Sequence, residues 1–119
     1  MAGSDFKNDD LGAVPSGAVA LSLEGADIDD HGIQELPLLP LLRCLDLDGT
    51  NITDRSLAAV ARLPKLEELW LECTGITDAG LKQLHKLKAL KFVSVAYTSV
   101  SPAGVAALTA AVPGVEVSS

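Results

Sequence analysis

Acidic and aromatic side chains recur in this chain at intervals of 24 residues, and their chemistry suits a recognition surface. The recurring sets are Glu24 with Asp48 and Glu72, Asp46 with Trp70, and Glu68 with Phe92. Carboxylates attract basic groups, and aromatic residues are frequent anchors of protein interfaces. With Tyr97, which follows shortly after Phe92, these side chains are candidates for contact with a partner.

The same interval governs the apolar residues and indicates how the chain is built. Leucine, isoleucine and valine occupy columns spaced by 24 along nearly the whole sequence. The first of these columns consists of Leu21, Leu45, Leu69, Val93 and Val117. Such a period is typical of solenoids, in which similar units stack and share one continuous core. Stacked units present a broad surface instead of a cleft.

Each unit begins with a strand. A Leu-x-Leu alternation predicts a strand whose leucines point inward while the residues between them point outward. A threonine follows each strand, at Thr50, Thr74 and Thr98. We expect these hydroxyls to bond a backbone group of the neighbouring unit, where the chain turns away from the sheet.

A helix fills the second half of each unit. It begins at a column of good N-cap residues, which are Asp29, Thr53, Thr77 and Ser101. The next column consists of Asp30, Asp54, Asp78 and Pro102. Acidic residues at this place complement the helix dipole, and proline is favoured at the first helical position. The recurring Thr-Asp pair therefore predicts helix starts.

Three segments match the pattern L-x-x-L-x-L-x-x-N/C-x-L, with threonine in place of Asn or Cys. They are LRCLDLDGTNI (42–52), LEELWLECTGI (66–76) and LKFVSVAYTSV (90–100). With ITDAGLKQL (76–84), they resemble the repeats of bacterial leucine-rich-repeat proteins over residues 17–117. The resemblance implies an α/β leucine-rich-repeat solenoid, a right-handed β/α superhelix with a parallel sheet on the concave face and helices on the convex face. It also implies recognition of proteins through the concave sheet.

In this fold three of the four aromatic residues fall on or beside the exposed sheet, at Trp70, Phe92 and Tyr97. We expect Trp70 to be exposed, and an exposed tryptophan is costly unless a partner covers it. The alternative is ordinary surface, because single large residues on an open sheet are not unusual.

The column of Glu24, Asp48 and Glu72 also has two open interpretations. Like charges on neighbouring strands repel by roughly a few tenths of a kcal/mol each, which a basic partner segment or a loosely held cation would relieve. The alternative is a solvated acidic face that keeps the sheet soluble. A specific calcium site is not predicted, because Leu38 follows DIDDHG (27–32) where an EF-hand loop needs glutamate.

Nothing in the sequence suggests catalysis. His31 and His85 map to non-adjacent units, and no nucleophile elbow, phosphate loop or zinc-type spacing occurs. An open sheet excludes little water, which gives the pKa of Asp48 no reason to rise. We predict a protein that is not an enzyme and that uses no cofactor and no metal.

Composition sets further expectations. A net charge of −7 argues against nucleic acid as a partner, and the absence of a signal peptide or a long apolar run argues against a membrane. Cys44 and Cys73 are five residues out of register, too far apart for a disulfide. Free thiols suit a reducing compartment, so a cytoplasmic location is expected.

Residues 17–119 are predicted to form the repeat domain, with about four repeats and a terminal strand. Residues 1–16 form either a flexible acidic start or a cap in which Phe6, Leu11 and Val14 cover the first repeat. The concave face is predicted to bind a protein or peptide, for which a basic segment is one candidate feature. The alternative function is structural: a unit or fragment that associates through its end strands with another array or another copy. The oligomeric state is left open.

Overall fold

The computed structural model describes residues 6–119, which form a parallel sheet lined on one side by short helices. The strands are β1 (Ala20–Ser22), β2 (Cys44–Asp46), β3 (Glu68–Trp70), β4 (Phe92–Ser94) and β5 (Glu116–Ser118), and they lie in the sheet in chain order. The α-helices are α1 (Asp30–Gln34), α2 (Asp54–Val60), α3 (Asp78–Leu81) and α4 (Pro102–Ala111). Two 3₁₀ helices cover Asn8–Ala13 and Lys82–Lys86. Among the described residues, no helix is long and apolar enough to cross a membrane.

The period of 24 residues is the register of the sheet. Leu45 of β2 pairs with Leu21 of β1 on one side and with Leu69 of β3 on the other. The same spacing continues through Val93 to Val117. The predicted leucine-rich-repeat solenoid, with its sheet on the concave face and its helices on the convex face, is confirmed.

The core lies between the sheet and the helices. The Leu-x-Leu leucines point into it, and Leu45, Leu47, Leu69 and Leu71 are all 0% exposed. Each of them packs between its own repeat and the neighbouring ones, so the stacked units share one core. Residues between these leucines point the other way and form the outer face of the sheet.

The predicted helix starts are confirmed. Asp29, Thr53, Thr77 and Ser101 are the four N-cap residues, and each accepts a hydrogen bond from a backbone N–H in the first turn. The distances are 3.0 Å for Asp29 and 3.3 Å for the other three. These bonds satisfy donors that the helix itself leaves unpaired.

The aspartates of the next column do more than complement a dipole. Asp54 accepts the backbone N–H of Thr77 at 2.7 Å and its hydroxyl at 2.5 Å. Asp30 bonds Thr53 of the second repeat in the same way, and Asp78 bonds Ser101 of the fourth. Each aspartate therefore clamps the cap residue of the following repeat.

The clamp leaves a mark on the pKa of two of these aspartates. Bonds from the side chain and backbone of Ser101 lower the pKa of Asp78. Burial works in the opposite direction at Asp30, but bonds from Ser56 and Thr53 still hold its pKa below the usual value. Both carboxylates are thus stabilised in the charged form that the clamp requires.

The expected role of the threonines after the strands was wrong. The hydroxyls of Thr50, Thr74 and Thr98 donate to the carbonyl oxygens three residues earlier, at 2.6–2.7 Å. They thus bond their own repeat and not the neighbouring one. The turn brings that carbonyl within reach of a hydroxyl, whereas the neighbouring repeat is tied through the aspartate clamp.

The segment before the first repeat packs against it. Leu11 and Val14 are buried and Phe6 packs against the core, while the 3₁₀ helix Asn8–Ala13 lies beside α1. Asn8 accepts the backbone N–H of Asp29 at 3.0 Å and donates its amide to that carboxylate at 2.9 Å. Asn8 thus stands where Asp54 stands for Thr77, with donor and acceptor exchanged. The first five residues of the predicted segment 1–16 lie outside the described part of the chain.

Candidate functional site

Trp70 and Phe92 form a tilted aromatic pair on the outer face of the sheet. Their ring centroids are 4.8 Å apart and the ring planes make an angle of 50°. Phe92 pairs in register with Glu68, two residues before Trp70, so the two rings meet diagonally across β3 and β4. Both side chains are half-buried. The expectation that Trp70 is exposed was therefore wrong, because the neighbouring ring covers part of it.

Tyr97 differs from this pair. It lies beyond the end of β4 and is 84% exposed. Its backbone has a φ of 58°, in the left-handed region that residues with side chains seldom adopt. Cys73, at the matching place in the previous repeat, has a φ of 55°. The shape of the turn thus directs the Tyr97 ring away from the core.

The carboxylates occupy adjacent columns of the same face. Asp46 pairs in register with Trp70, and Cys44 pairs with Glu68. The Cys44 thiol lies 3.7 Å from the Glu68 carboxylate, to which it donates. Burial and then the nearby Glu68 charge raise the pKa of Cys44, so this thiol is held in its neutral form.

Asp48 is the most constrained of these carboxylates. It accepts the backbone N–H of Glu72 in the next repeat at 2.7 Å, and its own N–H donates to Asp46 at 3.0 Å. Burial, with smaller contributions from the charges of Asp46, Glu72 and Glu24, raises the pKa of Asp48 to about 6. The expectation that this pKa has no reason to rise was wrong, because the column crowds like charges around a half-buried group.

Glu72 is also fixed in place. It accepts a hydrogen bond from the hydroxyl of Ser94, which is fully buried in β4. Glu24 and Glu68, by contrast, are exposed. Cys44 and Ser94 were not among the residues predicted from the sequence, although both stand in the columns that contain Glu68 and Trp70.

No basic side chain neutralises this face within the described part of the chain. The ion pairs found there join Lys7 to Asp27, and Arg43 and Lys91 to Glu67. The carboxylates without such a partner include all five predicted ones: Glu24, Asp46, Asp48, Glu68 and Glu72. Over residues 6–119, no group of three or more His, Cys, Asp or Glu side chains is arranged to hold a metal ion.

A comparison with known families agrees with this architecture. The family described as Leucine Rich repeat matches two consecutive segments, residues 39–61 and 62–84. These segments contain β2 with α2 and β3 with α3, and so most of the carboxylates described above. No curated protein matches the sequence at a significant level. The repeating register, the shared core and the two matched segments together make this chain a leucine-rich-repeat protein.

Proposed function

We propose that the concave face binds a protein or peptide that carries a basic segment. The observation that carries this proposal is the contact between an aromatic pair and a set of unpaired carboxylates on one open face. Trp70 and Phe92 supply the apolar anchor in this arrangement. The remaining residues assigned to the site are Tyr97, Glu24, Asp46, Asp48, Glu68 and Glu72.

Electrostatics supports a basic partner. Asp48 is half-buried among carboxylates, and the rise of its pKa to about 6 measures how unfavourable its charge is there. A lysine or arginine placed over this column would reverse the sign of that local field. The attraction would act mainly on the rate of association and on specificity.

The aromatic pair supports an extended partner with at least one large side chain. Tryptophan is enriched among residues that dominate binding energy, and its ring face also attracts arginine and lysine. Because Trp70 is half-buried by Phe92, its ring is held in place before binding and loses little freedom when a partner arrives. Tyr97, at the edge of the face, remains available for a second contact.

The leucine-rich-repeat family suggests an interaction module, and its domains are typically scaffolds without catalytic activity. We infer on this basis that the protein is not an enzyme. The net charge of −7 supports a protein partner over nucleic acid or a membrane surface. Cys44 and Cys73 are free thiols, which supports the cytoplasm as its location.

A peptide array tests the proposal while the natural partner is still unidentified. Labelled protein is applied to peptides that vary in number and spacing of Arg, Lys and aromatic residues, beside acidic and neutral sets. We expect binding to concentrate on basic peptides and to be lost in Trp70→Ala. Leu38→Ala is the matched control, because Leu38 is a 68% exposed apolar residue outside the proposed site. Equal loss in both variants, or no preference for basic peptides, would contradict the proposal.

A further inference from the structure

The C-terminal end of the array leaves uncovered several positions that are buried in the preceding repeats. Val100, Val105 and Val117 are only partly buried. Their counterparts one repeat earlier are 0–1% exposed, and these are Ile76, Leu81 and Val93. The difference arises because the preceding positions are covered by the next repeat, whereas β5 and α4 are the last elements of the stack.

β5 also presents a free hydrogen-bonding edge. Its Glu116 N–H donates to the Lys91 carbonyl at 2.9 Å, and its Ser118 carbonyl accepts the Val95 N–H at 2.7 Å. Because bonding direction alternates along a strand, the N–H and C=O of Val117 point away from β4. An edge of this kind is a template for another strand.

Charge is almost absent from this end. From Phe92 to Ser119 the only charged side chain is Glu116, although the chain as a whole has a net charge of −7. α4 has the sequence PAGVAALTAA and carries no charge on any face. A helix that is apolar all round is typical of a helix buried on both sides. The repulsion that the net charge causes elsewhere is therefore weak here.

A further repeat of the same kind fits this end poorly. The clamp column that holds Asp30, Asp54 and Asp78 continues as Pro102, which has no carboxylate for a following cap residue. The inward column of Leu47, Leu71 and Val95 continues as Ser119. Both features by which one repeat attaches to the next are lost at the same point.

The opposite end does not offer a matching surface for head-to-tail stacking. Leu21, Ile28 and Ile33 of the first repeat are each 1% exposed, because the segment with Leu11 and Val14 covers them. A copy stacked there would have to displace that segment. An open C-terminal end therefore has another open C-terminal end as its best complement, which is an isologous arrangement.

We propose that two copies of this chain associate through their C-terminal ends, with β5 pairing antiparallel to β5 of the second copy about a two-fold axis at Val117. The two Val117 residues then exchange two N–H···O bonds. Glu116 of each copy faces Ser118 of the other, so no like charges oppose one another. The half-buried Val100 and Val105 are covered along the helical side, and the sheet becomes a continuous surface of ten strands.

Sedimentation velocity over a wide concentration range tests the association directly. We expect a monomer–dimer equilibrium with no larger species. A strict monomer at the highest concentration would overturn the proposal. A ladder of growing oligomers would overturn it as well, because it would indicate head-to-tail stacking.

Proline substitutions test which edge is used. Val117→Pro removes an N–H that makes no bond within the monomer, so the fold should survive while dimerisation is lost. Ala20→Pro is the matched control on β1, whose outward edge the dimer leaves free. Circular dichroism and thermal unfolding establish that both variants fold. A dimer that is lost in Ala20→Pro and retained in Val117→Pro would contradict the proposed edge.

Charge substitutions test the register without touching the backbone. Ser118→Lys places two lysines opposite the two Glu116 side chains and should tighten the dimer about two- to tenfold, whereas Ser118→Glu should weaken it by a similar factor. Ser22→Lys and Ser22→Glu make the same changes of charge in the same column on β1 and should alter the dimer constant little. If the Ser22 and Ser118 pairs act alike, net charge and not the β5 register controls association.

Discussion

Asp54 of the second repeat holds the cap residue Thr77 of the third through both its backbone N–H and its hydroxyl, at 2.7 Å and 2.5 Å. At the first repeat the same contact is made by Asn8 and Asp29, with the acid and its partner exchanged. In both cases one carboxylate meets one group that can donate. The clamp thus joins successive repeats and requires complementary partners.

This relationship predicts the outcome of exchanging the partners in the interior. Thr77→Asp keeps a good N-cap but brings a second carboxylate against Asp54, so it should lower the free energy of unfolding by about 1–3 kcal/mol. Adding Asp54→Asn recreates the Asn8–Asp29 arrangement and should recover most of that loss. Denaturant unfolding of the wild type, both single variants and the double variant measures the coupling. Additive effects of the two substitutions would show that the clamp contributes nothing.

Gly80 gives a second prediction about the clamp. A Cβ on Gly80 would collide with the Asp54 side chain, whereas one on Gly17 would meet no atom within 4 Å. Alanine normally stabilises a helix by roughly 0.5–1 kcal/mol relative to glycine. We expect Gly80→Ala to destabilise instead, and Gly17→Ala to be nearly neutral. A rise in melting temperature for Gly80→Ala would contradict the tight approach of Asp54.

A serine at the same position should be tolerated better than an alanine. Ser56 occupies this column in the second repeat, and its hydroxyl donates to Asp30 at 2.6 Å. Gly80→Ser could make the equivalent bond to Asp54 and offset part of the crowding. The comparison of the melting temperatures of the two Gly80 variants therefore separates lost space from a gained hydrogen bond.

The raised pKa of Asp48 predicts how stability depends on pH. Its folded-state pKa of about 6 lies above the usual value of about 4, so the folded protein binds the proton more tightly than the unfolded chain does. The contribution of Asp48 to the free energy of unfolding is therefore fully present below about pH 4 and is lost as pH rises through about 6. Asp48→Asn still accepts the Glu72 N–H and should be more stable than the wild type at neutral pH. Thermal unfolding across this pH range measures the difference.

The control for this prediction is Asp9→Asn, which removes an equal charge from an exposed side chain outside the site. It should leave the slope of stability against pH between about 4 and 6 unchanged. If Asp48→Asn has the same slope as the wild type, the carboxylates of this face do not crowd one another in solution.

Trp70 and Leu71 are neighbours in sequence but should differ in their effect on folding. Leu71 is 0% exposed, and Leu71→Ala should cost about 2–5 kcal/mol because it opens a cavity between repeats. Trp70 is half-buried against Phe92, so Trp70→Ala should cost about 1–2 kcal/mol. Chemical denaturation compares them. Equal costs would place Trp70 in the core and remove it from the binding site.

The period of 24 residues was sufficient to predict the strands, their register and the helix starts, because each depends on local pattern and on stacking of like units. The contacts between different columns could not be predicted in this way. Asp54 reaches Thr77, and Trp70 reaches Phe92, only because the stacking brings their side chains within a few ångströms. The recurring glycine at Gly80 and Gly104 was an unused signal, since a glycine in a first helical turn suggests close approach by a neighbour.

The binding role of the concave face can be measured through Trp70, because it is the single tryptophan of the chain. Its fluorescence is recorded while the basic peptide that binds best on the array is added, at low and at raised salt. We predict a saturable change in Trp70 emission, with an affinity that falls as salt increases and that is weaker in Glu68→Lys. Binding of the same peptide, established by calorimetry, without any change in Trp70 emission would contradict a site on the concave face.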